Sequence, residues 1–272
     1  MSAAMGQAGQ AAEAAEIRRA FGFGPAPDVA TLAPRGGGPL RIVTLGEFRV
    51  EAAAGSIPDR AWGGRKPRLA LLLLAASPAG LTRAELAEAL GMEDAVPGAV
   101  HVLIGRVRAA LGSRTAVASE GGRYRLVVAE APWWDADRVE RLAADLPGSA
   151  EEILDPYAGP FLPDLTEFHW VAARQARLHG IWLAAADAAL AADRQAGDWP
   201  HALARAERIL EIDPLAETAH RAVLEALWRT GRRSAAEAHF AAFDRRLRET
   251  LGTGPDVATM DFWRRLHRVI TQ

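Results

Sequence analysis

The sequence predicts a mainly α-helical protein in which a small α+β region precedes a longer all-α region. Two observations predict this order. Strand patterns flank three helical patterns between residues 40 and 128, whereas helical periodicity alone continues from Trp133 onward. Glycine and proline residues occur at the ends of the predicted helices and strands. With 272 residues, of which 50% are hydrophobic and 24% charged, the chain is long enough for two globular domains.

The first predicted segment is a mobile arm over residues 1–38. It contains one short helical pattern, at residues 11–20, and becomes rich in Gly and Pro towards its end. A strand, a turn and a second strand are predicted after it. Residues 40–45 alternate loosely in hydrophobicity, Gly46 interrupts them, and residues 47–50 continue the alternation.

Three helices are predicted next, over residues 66–76, 83–90 and 97–111. The first is almost continuously apolar. Thr82 and Glu85 have the spacing of a capping box, in which each side chain bonds to the backbone N–H of the other residue, so they mark the start of the second helix. Pro97 is suited to the first turn of the third helix, because a proline there gives up no intrahelical hydrogen bond.

A β-hairpin is predicted after the third helix, with strands over residues 115–117 and 123–128 on either side of Gly121-Gly122. Strands, three helices and a hairpin in this order are typical of a winged helix. In that fold the third helix enters the DNA major groove and the hairpin, or wing, lies along the sugar-phosphate backbone. We therefore predict a winged-helix DNA-binding domain over residues 39–130.

The third helix has two distinct faces at a period of 3.6 residues. The core face is predicted to consist of Val100, Leu103, Ile104, Val107 and Leu111, and the opposite face of Gly98, His101, Val102, Gly105 and Ala109, flanked by Arg106 and Arg108. The centre of the second face carries almost no side chain. His101 is placed to contact a base and Val102 to pack on a thymine methyl group, although a solvated surface histidine is an equal alternative.

Charge favours the same region for DNA binding. Residues 39–130 contain twelve basic and nine acidic side chains, a local net charge of +3, whereas the whole chain has a net charge of -2. This excess permits DNA binding without requiring it, and solvated surface charge is the alternative. The predicted DNA-binding residues are Arg65, Lys66, His101, Val102, Gly105, Arg106, Arg108, Arg123 and Arg125, with the basic ones on phosphates and His101 and Val102 facing bases.

Residues 131–272 are predicted to be entirely helical. Gly197 and Gly231 lie 34 residues apart, which is the period of tetratricopeptide helix pairs. Residues 199–211 and 215–229 are expected to form one pair, on which residues 234–250 stack. An irregular helical bundle is the alternative.

Catalytic and metal-binding patterns are missing from the sequence. The chain has no cysteine, which excludes disulfides and cysteine-ligated metals, and it has no nucleotide-binding glycine motif and no His-Glu-x-x-His motif. Its seven histidines are scattered. We predict that the protein is not an enzyme and holds neither cofactor nor metal. The longest apolar run, residues 69–76, is too short to span a membrane, and the N-terminus lacks signal-peptide features, so we expect a cytoplasmic protein.

Several segments, taken in order, carry a resemblance to a known family. They are residues 40–46, 64–74, 106–112 and 124–126 in the first region, and residues 157–164, 170–174, 210–217, 227–232 and 247–252 in the second. They resemble the Streptomyces antibiotic regulatory proteins, in which an OmpR-like winged helix precedes a bacterial transcriptional activator domain. The resemblance implies a tetratricopeptide-like domain and a DNA-binding transcriptional regulator, of the activator type, on double-stranded DNA. It also implies RNA polymerase as a partner and self-association on direct repeats.

The chain departs from this family at three places. Pro97, Gly98 and Gly105 stand where the family carries Arg, Asn, Gln or Ser on its recognition helix, and Arg123 replaces a glycine. The segment 137–157 is shorter than in the family, which predicts a truncated first helical pair. The nearly bare recognition face keeps a second hypothesis open, in which the chain is a protein-interaction scaffold whose degenerate winged helix does not bind DNA.

Overall fold

The structure is a computed structural model that describes residues 40–52, 55–96 and 98–268. The predicted arm over residues 1–38 and Pro97 lie outside the described residues. The described chain divides into two compact units: the first holds residues 40–144 and 159–178, and the second holds residues 145–158 and 179–268. The boundary at residue 130, which was drawn from sequence patterns, stays a prediction.

A four-stranded sheet begins the first unit. Its strands are β1 (Arg41–Val43), β2 (Arg49–Ala52), β3 (Gly55–Ser56) and β7 (Trp133–Trp134), in the order β3-β2-β1-β7. The prediction that strands end before Trp133 is wrong, because β7 pairs in parallel with β1, Arg41 opposite Trp133 and Ile42 opposite Trp134. This two-residue strand exists through pairing with a distant segment, which local periodicity does not encode.

In the helical core of the first unit, three helices follow the predicted order, and a short helix before them was not predicted. The helices are α1 (Asp59–Trp62), α2 (Arg65–Ala75), α3 (Arg83–Ala89) and α4 (Ala99–Ala110). The predicted capping box at the start of α3 is confirmed: Oγ1 of Thr82 accepts a hydrogen bond from the backbone N–H of Glu85 at 3.2 Å, and Oε2 of Glu85 accepts one from the N–H of Thr82 at 2.6 Å.

The predicted hairpin is present, and its first strand lies closer to the turn than predicted. A three-stranded sheet consists of β4 (Leu81–Thr82), β6 (Arg123–Leu126) and β5 (Val117–Glu120), in that order. Gly121 and Gly122 have φ values of 56° and 75°, so both occupy the left-handed region that a two-residue hairpin turn of this kind requires. The strands therefore remain paired up to Glu120 opposite Arg123.

A buried carboxylate joins β7 to the first strand region. Asp135, the first residue of α5 (Asp135–Leu142), is 1% exposed. Its carboxylate accepts hydrogen bonds from the backbone N–H of Thr44 at 2.8 Å, the Thr44 hydroxyl at 2.8 Å and the N–H of Leu45 at 2.9 Å. The indole N–H of Trp134 donates to the same Thr44 hydroxyl at 2.7 Å. This network satisfies a charge that burial would otherwise make costly.

The second unit is helical throughout its described residues, apart from turns. Its elements are α6 (Ala150–Leu154), residues 179–196 of α7 (His169–Ala196), α8 (Trp199–Ile212), α9 (Glu217–Arg229), α10 (Arg233–Leu251) and α11 (Val257–Arg268). Helix α9 packs against α8, α10 and α11. This arrangement matches the predicted pair and the helix stacked on it, and the predicted fold class, mainly α with an α+β region before an all-α region, is confirmed. Helix α6 has only five residues, and the truncation of the first helical pair relative to the family stays a prediction.

None of the helices in residues 40–52, 55–96 and 98–268 has both the length and the apolar character needed to cross a bilayer.

Candidate nucleic-acid interface

Helix α4 presents the face that the sequence predicted. Val100, Leu103, Ile104 and Val107 are at most 5% exposed and form its core side. The exposed side consists of His101, Val102, Gly105, Arg106 and Ala109. Gly98 was predicted on this face as well, but it is the N-cap residue before the helix, with a φ of 91°. Leu111, the fifth predicted core residue, is only half-buried because it lies at the C-cap of the helix.

The two positions at the middle of the exposed face carry the smallest side chains. Gly105 and Ala109 lie one turn apart, with His101 and Val102 in the preceding turn. A Cβ atom placed on Gly105 would meet no heavy atom within 4 Å. Nothing in the described fold therefore requires glycine at this position, and the helix backbone is accessible there.

A groove of about 410 Å³ lies beside this face. It is lined by Gly63, Gly64, Arg65, Lys66, Pro67, Met92, Val96, Ala99, Val102, Leu103 and Arg106. Among these described lining residues three are basic and none is acidic. The groove therefore combines a positive rim with apolar side chains, and we call it the basic groove.

The first turns of two helices contribute to the basic groove. Helix α2 begins after Gly64 and α4 begins after Gly98, and neither N-cap residue makes a side-chain hydrogen bond to its helix in the described structure. The first turns of both helices also lack acidic residues. No side chain therefore neutralises the positive dipole ends at these two N-termini, and such ends favour anions. In α4 the first N–H, that of Ala99, already donates to the carbonyl of Val96 at 3.1 Å.

The three basic residues of the groove have partners within the first unit. Nη1 of Arg65 lies 3.1 Å from Oε1 of Glu167, Nζ of Lys66 donates to the carbonyl of Gly91 at 3.0 Å, and Nη1 of Arg106 donates to the carbonyl of Gly63 at 3.3 Å. Each of these side chains has further donors. The partners hold the side chains along the groove and leave hydrogen-bonding capacity for an anion.

The other predicted arginines are more closely tied to the fold. Nε and Nη2 of Arg108 both donate to the carbonyl of Val117, at 3.0 and 2.7 Å, and connect α4 to β5. Arg123 donates from Nη1 to the carbonyl of Gly80 at 2.9 Å. Nη2 of Arg125 lies 3.5 Å from Oε2 of Glu120 across the hairpin. Sequence patterns do not reveal these internal contacts, which use some of the donors that a phosphate would need.

Sequence reasoning left several exposed basic residues out of the predicted site. Arg60 in α1, Arg83 in α3 and Arg114 after α4 are exposed and have no ion-pair partner among the described residues. The local excess of positive charge was the only signal that included them. They add uncompensated positive charge to the same unit.

The second unit contains a smaller cavity of about 190 Å³. The rings of Tyr157 and Trp182, which line it, stack at a centroid distance of 5.1 Å. The Tyr157 hydroxyl is buried and has no hydrogen-bond partner among the described residues. Burial, with a contribution from the negative charge of Asp213, raises the pKa of Tyr157 to about 12, so this hydroxyl stays protonated.

The described part of the chain contains no group of three or more His, Cys, Asp or Glu side chains arranged to bind a metal ion.

Comparison with known families identifies the helical part. The family model described as "Bacterial transcriptional activator domain" matches residues 134–270. The chain belongs to this family. Membership supports a regulator of the transcriptional-activator type, and it confirms the second half of the resemblance stated from sequence. The match does not reach the predicted winged helix over residues 39–130, whose role in DNA binding stays a prediction.

A solved structure supports the fold of the family member over a larger part of the chain. It is described as Mycobacterium tuberculosis EmbR in complex with low affinity phosphopeptide, and it matches with a TM-score of 0.59 and 21% sequence identity. The match covers 84% of this chain and 65% of that chain. At this identity the similarity shows the fold alone. A search of curated proteins finds no match.

Proposed function

We propose that the protein is a transcriptional regulator that binds double-stranded DNA through its first unit and protein partners through its second. The observation that carries this proposal is the basic groove, where three basic side chains and two uncapped helix N-termini face the same space. Phosphate groups are the ligands that this combination favours, because both features stabilise negative charge.

The predicted residues have distinct roles in this proposal. Arg65, Lys66 and Arg106 bind phosphates along the groove. Arg108 joins α4 to the hairpin. It contacts the DNA backbone only with those guanidinium N–H groups that do not donate to the carbonyl of Val117. Such contacts orient the protein on the duplex without reading its sequence.

The remaining predicted contacts lie on the hairpin and on the exposed face of α4. Arg123 and Arg125 lie on β6, a strand of the wing, and in this proposal they bind phosphates of the DNA backbone. His101 and Val102 face the bases, and Gly105 lets the helix backbone come close to the duplex. RNA polymerase and a second copy of the chain on direct repeats are the partners that the family resemblance implies for the helical unit.

The second hypothesis is a protein-interaction scaffold that does not bind DNA. It is supported by the internal partners of Arg108, Arg123 and Arg125 and by the small residues at the centre of the α4 face. The two hypotheses predict opposite results for the full chain mixed with duplex DNA, so one measurement separates them.

The test is the affinity of the full chain for duplex DNA as salt concentration is varied. If four to six basic side chains neutralise phosphates, log affinity should fall against log salt with a slope of about -4 to -5. Arg106→Gln should flatten the slope by about one unit and weaken all duplexes alike. The matched control is Arg264→Gln, because Arg264 is an exposed, ion-paired arginine on α11 in the other unit, and its loss should change nothing. A folded chain that binds no duplex at low salt would exclude the regulator and leave the scaffold.

A further inference from the structure

We infer that helix α4 recognises thymine methyl groups through Val102, and that its sequence preference comes from this apolar contact more than from hydrogen bonds to base edges. The inference rests on the proposed function, because it requires α4 to lie in the major groove. It specifies the chemical group of the duplex that the protein selects, the thymine methyl group.

The first observation is the exposure of valine at the basic groove. Within the described residues four large apolar side chains are strongly exposed, namely Val96, Val102, Leu251 and Val257. Two of the four, Val96 at 76% and Val102 at 58%, line the same groove as Arg65, Lys66 and Arg106. Removing exposed apolar surface from water lowers the free energy. An apolar pair inside a positive rim therefore fits a ligand that has both negative and apolar groups.

The second observation is the absence of long polar side chains at the centre of the α4 face. Among the described residues there, Gly105 and Ala109 have no polar side-chain atom, and Arg106 is directed toward the Gly63 carbonyl on the groove side. His101 is the one exposed residue of the face, apart from the arginines, that can form a hydrogen bond with a base. The arrangement thus leaves Val102 as the main route of direct readout from the middle of the helix.

Duplex DNA offers one matching group in the major groove. The C5-methyl of thymine is the apolar feature there, and cytosine, adenine and guanine present polar atoms instead. Val102 suits this contact because a β-branched side chain in a helix has one strongly preferred rotamer. It loses little conformational freedom when the methyl group packs against it. Phosphates flanking the same base step would lie on the basic rim.

The experiment starts from duplexes that the full chain selects out of a random pool. Each thymine of a selected duplex is replaced in turn by deoxyuridine, which removes the methyl group and keeps the base pairing. We expect one or two positions at which this change lowers affinity about three- to tenfold, the effect of one apolar methyl contact. At these positions Val102→Ala should lower affinity for the thymine duplex and abolish the difference between thymine and uracil.

The matched control is Val257→Ala, because Val257 is 77% exposed and lies on α11 in the other unit. It should preserve the thymine preference. Equal affinity for thymine and uracil duplexes at every position would overturn the inference while leaving DNA binding intact. The inference would also be overturned if the loss of affinity caused by Val102→Ala and the loss caused by uracil were additive. Additive losses would show that the valine and the methyl group act independently and do not contact each other. Failure to bind any duplex would instead refute the proposed function itself.

Discussion

Nδ1 of His220 and Nε2 of His239 lie 2.8 Å apart, and the carbonyl of Pro214 determines which of the two donates. Nε2 of His220 lies 3.1 Å from that carbonyl oxygen, which can only accept, so Nε2 carries the proton. Neutral His220 therefore accepts at Nδ1, and His239 donates from Nε2. The ring of His220 also stacks on Phe243 at a centroid distance of 3.7 Å, which places the pair in an apolar setting between α9 and α10.

This setting makes the helical unit sensitive to acid. Burial lowers the pKa of His220 to about 4, the positive charges of His239 and Arg246 add to the effect, and the Pro214 hydrogen bond and Asp213 oppose it. Burial and Arg246 lower the pKa of His239 in the same direction. The unfolded chain binds a proton on His220 near pH 6.5, whereas the folded chain binds it only near pH 4. The stability that depends on neutral His220 is present above pH 6.5 and is lost as pH falls from about 6.5 to about 4.

We therefore predict that His220→Gln reduces the acid sensitivity of folding. The free energy of unfolding, measured by urea titration at several pH values, should fall between pH 6.5 and pH 4 by less in the variant than in the original chain, with a difference on the order of 2 kcal/mol. The comparison cancels the titration of carboxylates that both proteins share. Parallel pH profiles would show that the imidazole of His220 is not excluded from protonation in the folded state.

A second prediction concerns the buried carboxylate of Asp135. Replacing it by Asn removes one acceptor oxygen and places an amide N–H₂ group against the donors of Thr44 and Leu45. We expect Asp135→Asn to lower the free energy of unfolding by about 3 kcal/mol, because it leaves buried donors unpaired. The smaller change Thr44→Val keeps the backbone hydrogen bonds and should cost less. A loss below 1 kcal/mol for Asp135→Asn, measured by urea unfolding, would contradict the network.

The local elements of this fold are well predicted from the sequence. The capping box at Thr82, the hairpin glycines and the buried face of α4 depend on residues within a few positions of each other, where periodicity and turn chemistry act. The parallel pairing of β7 with β1 does not depend on neighbouring residues, because its register is set by residues about 90 positions apart and by the Asp135 network. A two-residue strand leaves no alternating pattern of its own.

The candidate site shows the same division. A helical wheel is sufficient to identify which residues of α4 face outward, because exposure follows directly from the period of 3.6 residues. It does not reveal that the guanidinium of Arg108 already binds the Val117 carbonyl, nor that the first turns of α2 and α4 meet in one groove. Those features depend on tertiary packing, which places donors opposite acceptors that are distant in sequence.

A third prediction tests the unpartnered hydroxyl of Tyr157. Tyr157→Phe removes only this oxygen and keeps the ring stacked on Trp182. Because a buried hydroxyl without a hydrogen bond carries a desolvation penalty of about 1–3 kcal/mol, thermal or urea unfolding of the variant should show equal or higher stability. Destabilisation by more than 1 kcal/mol would mean that the hydroxyl has a hydrogen-bond partner in solution.

The last prediction separates the stability of α4 from its contact with DNA. A glycine inside a helix costs about 1 kcal/mol relative to alanine, and a Cβ on Gly105 meets no neighbouring atom. Gly105→Ala should therefore raise the free energy of unfolding by up to about 1 kcal/mol. If the backbone of α4 approaches the duplex as proposed, the added methyl group should also lower affinity for DNA, so stability and affinity should change in opposite directions.

The matched control for Gly105→Ala is Gly180→Ala, because Gly180 lies inside α7 and a Cβ there would also meet no atom within 4 Å. Both substitutions should stabilise their helices by similar amounts, as urea unfolding would show, since the cost of glycine is a property of the helix backbone. Only Gly105→Ala should weaken duplex binding, because Gly105, unlike Gly180, lies on the helix face proposed to enter the DNA major groove. The contrary result would be an unchanged affinity of Gly105→Ala for DNA together with the expected gain in stability. It would mean that the helix does not come within a methyl group's distance of the DNA. His101 and Val102 would then not reach the base edges as proposed.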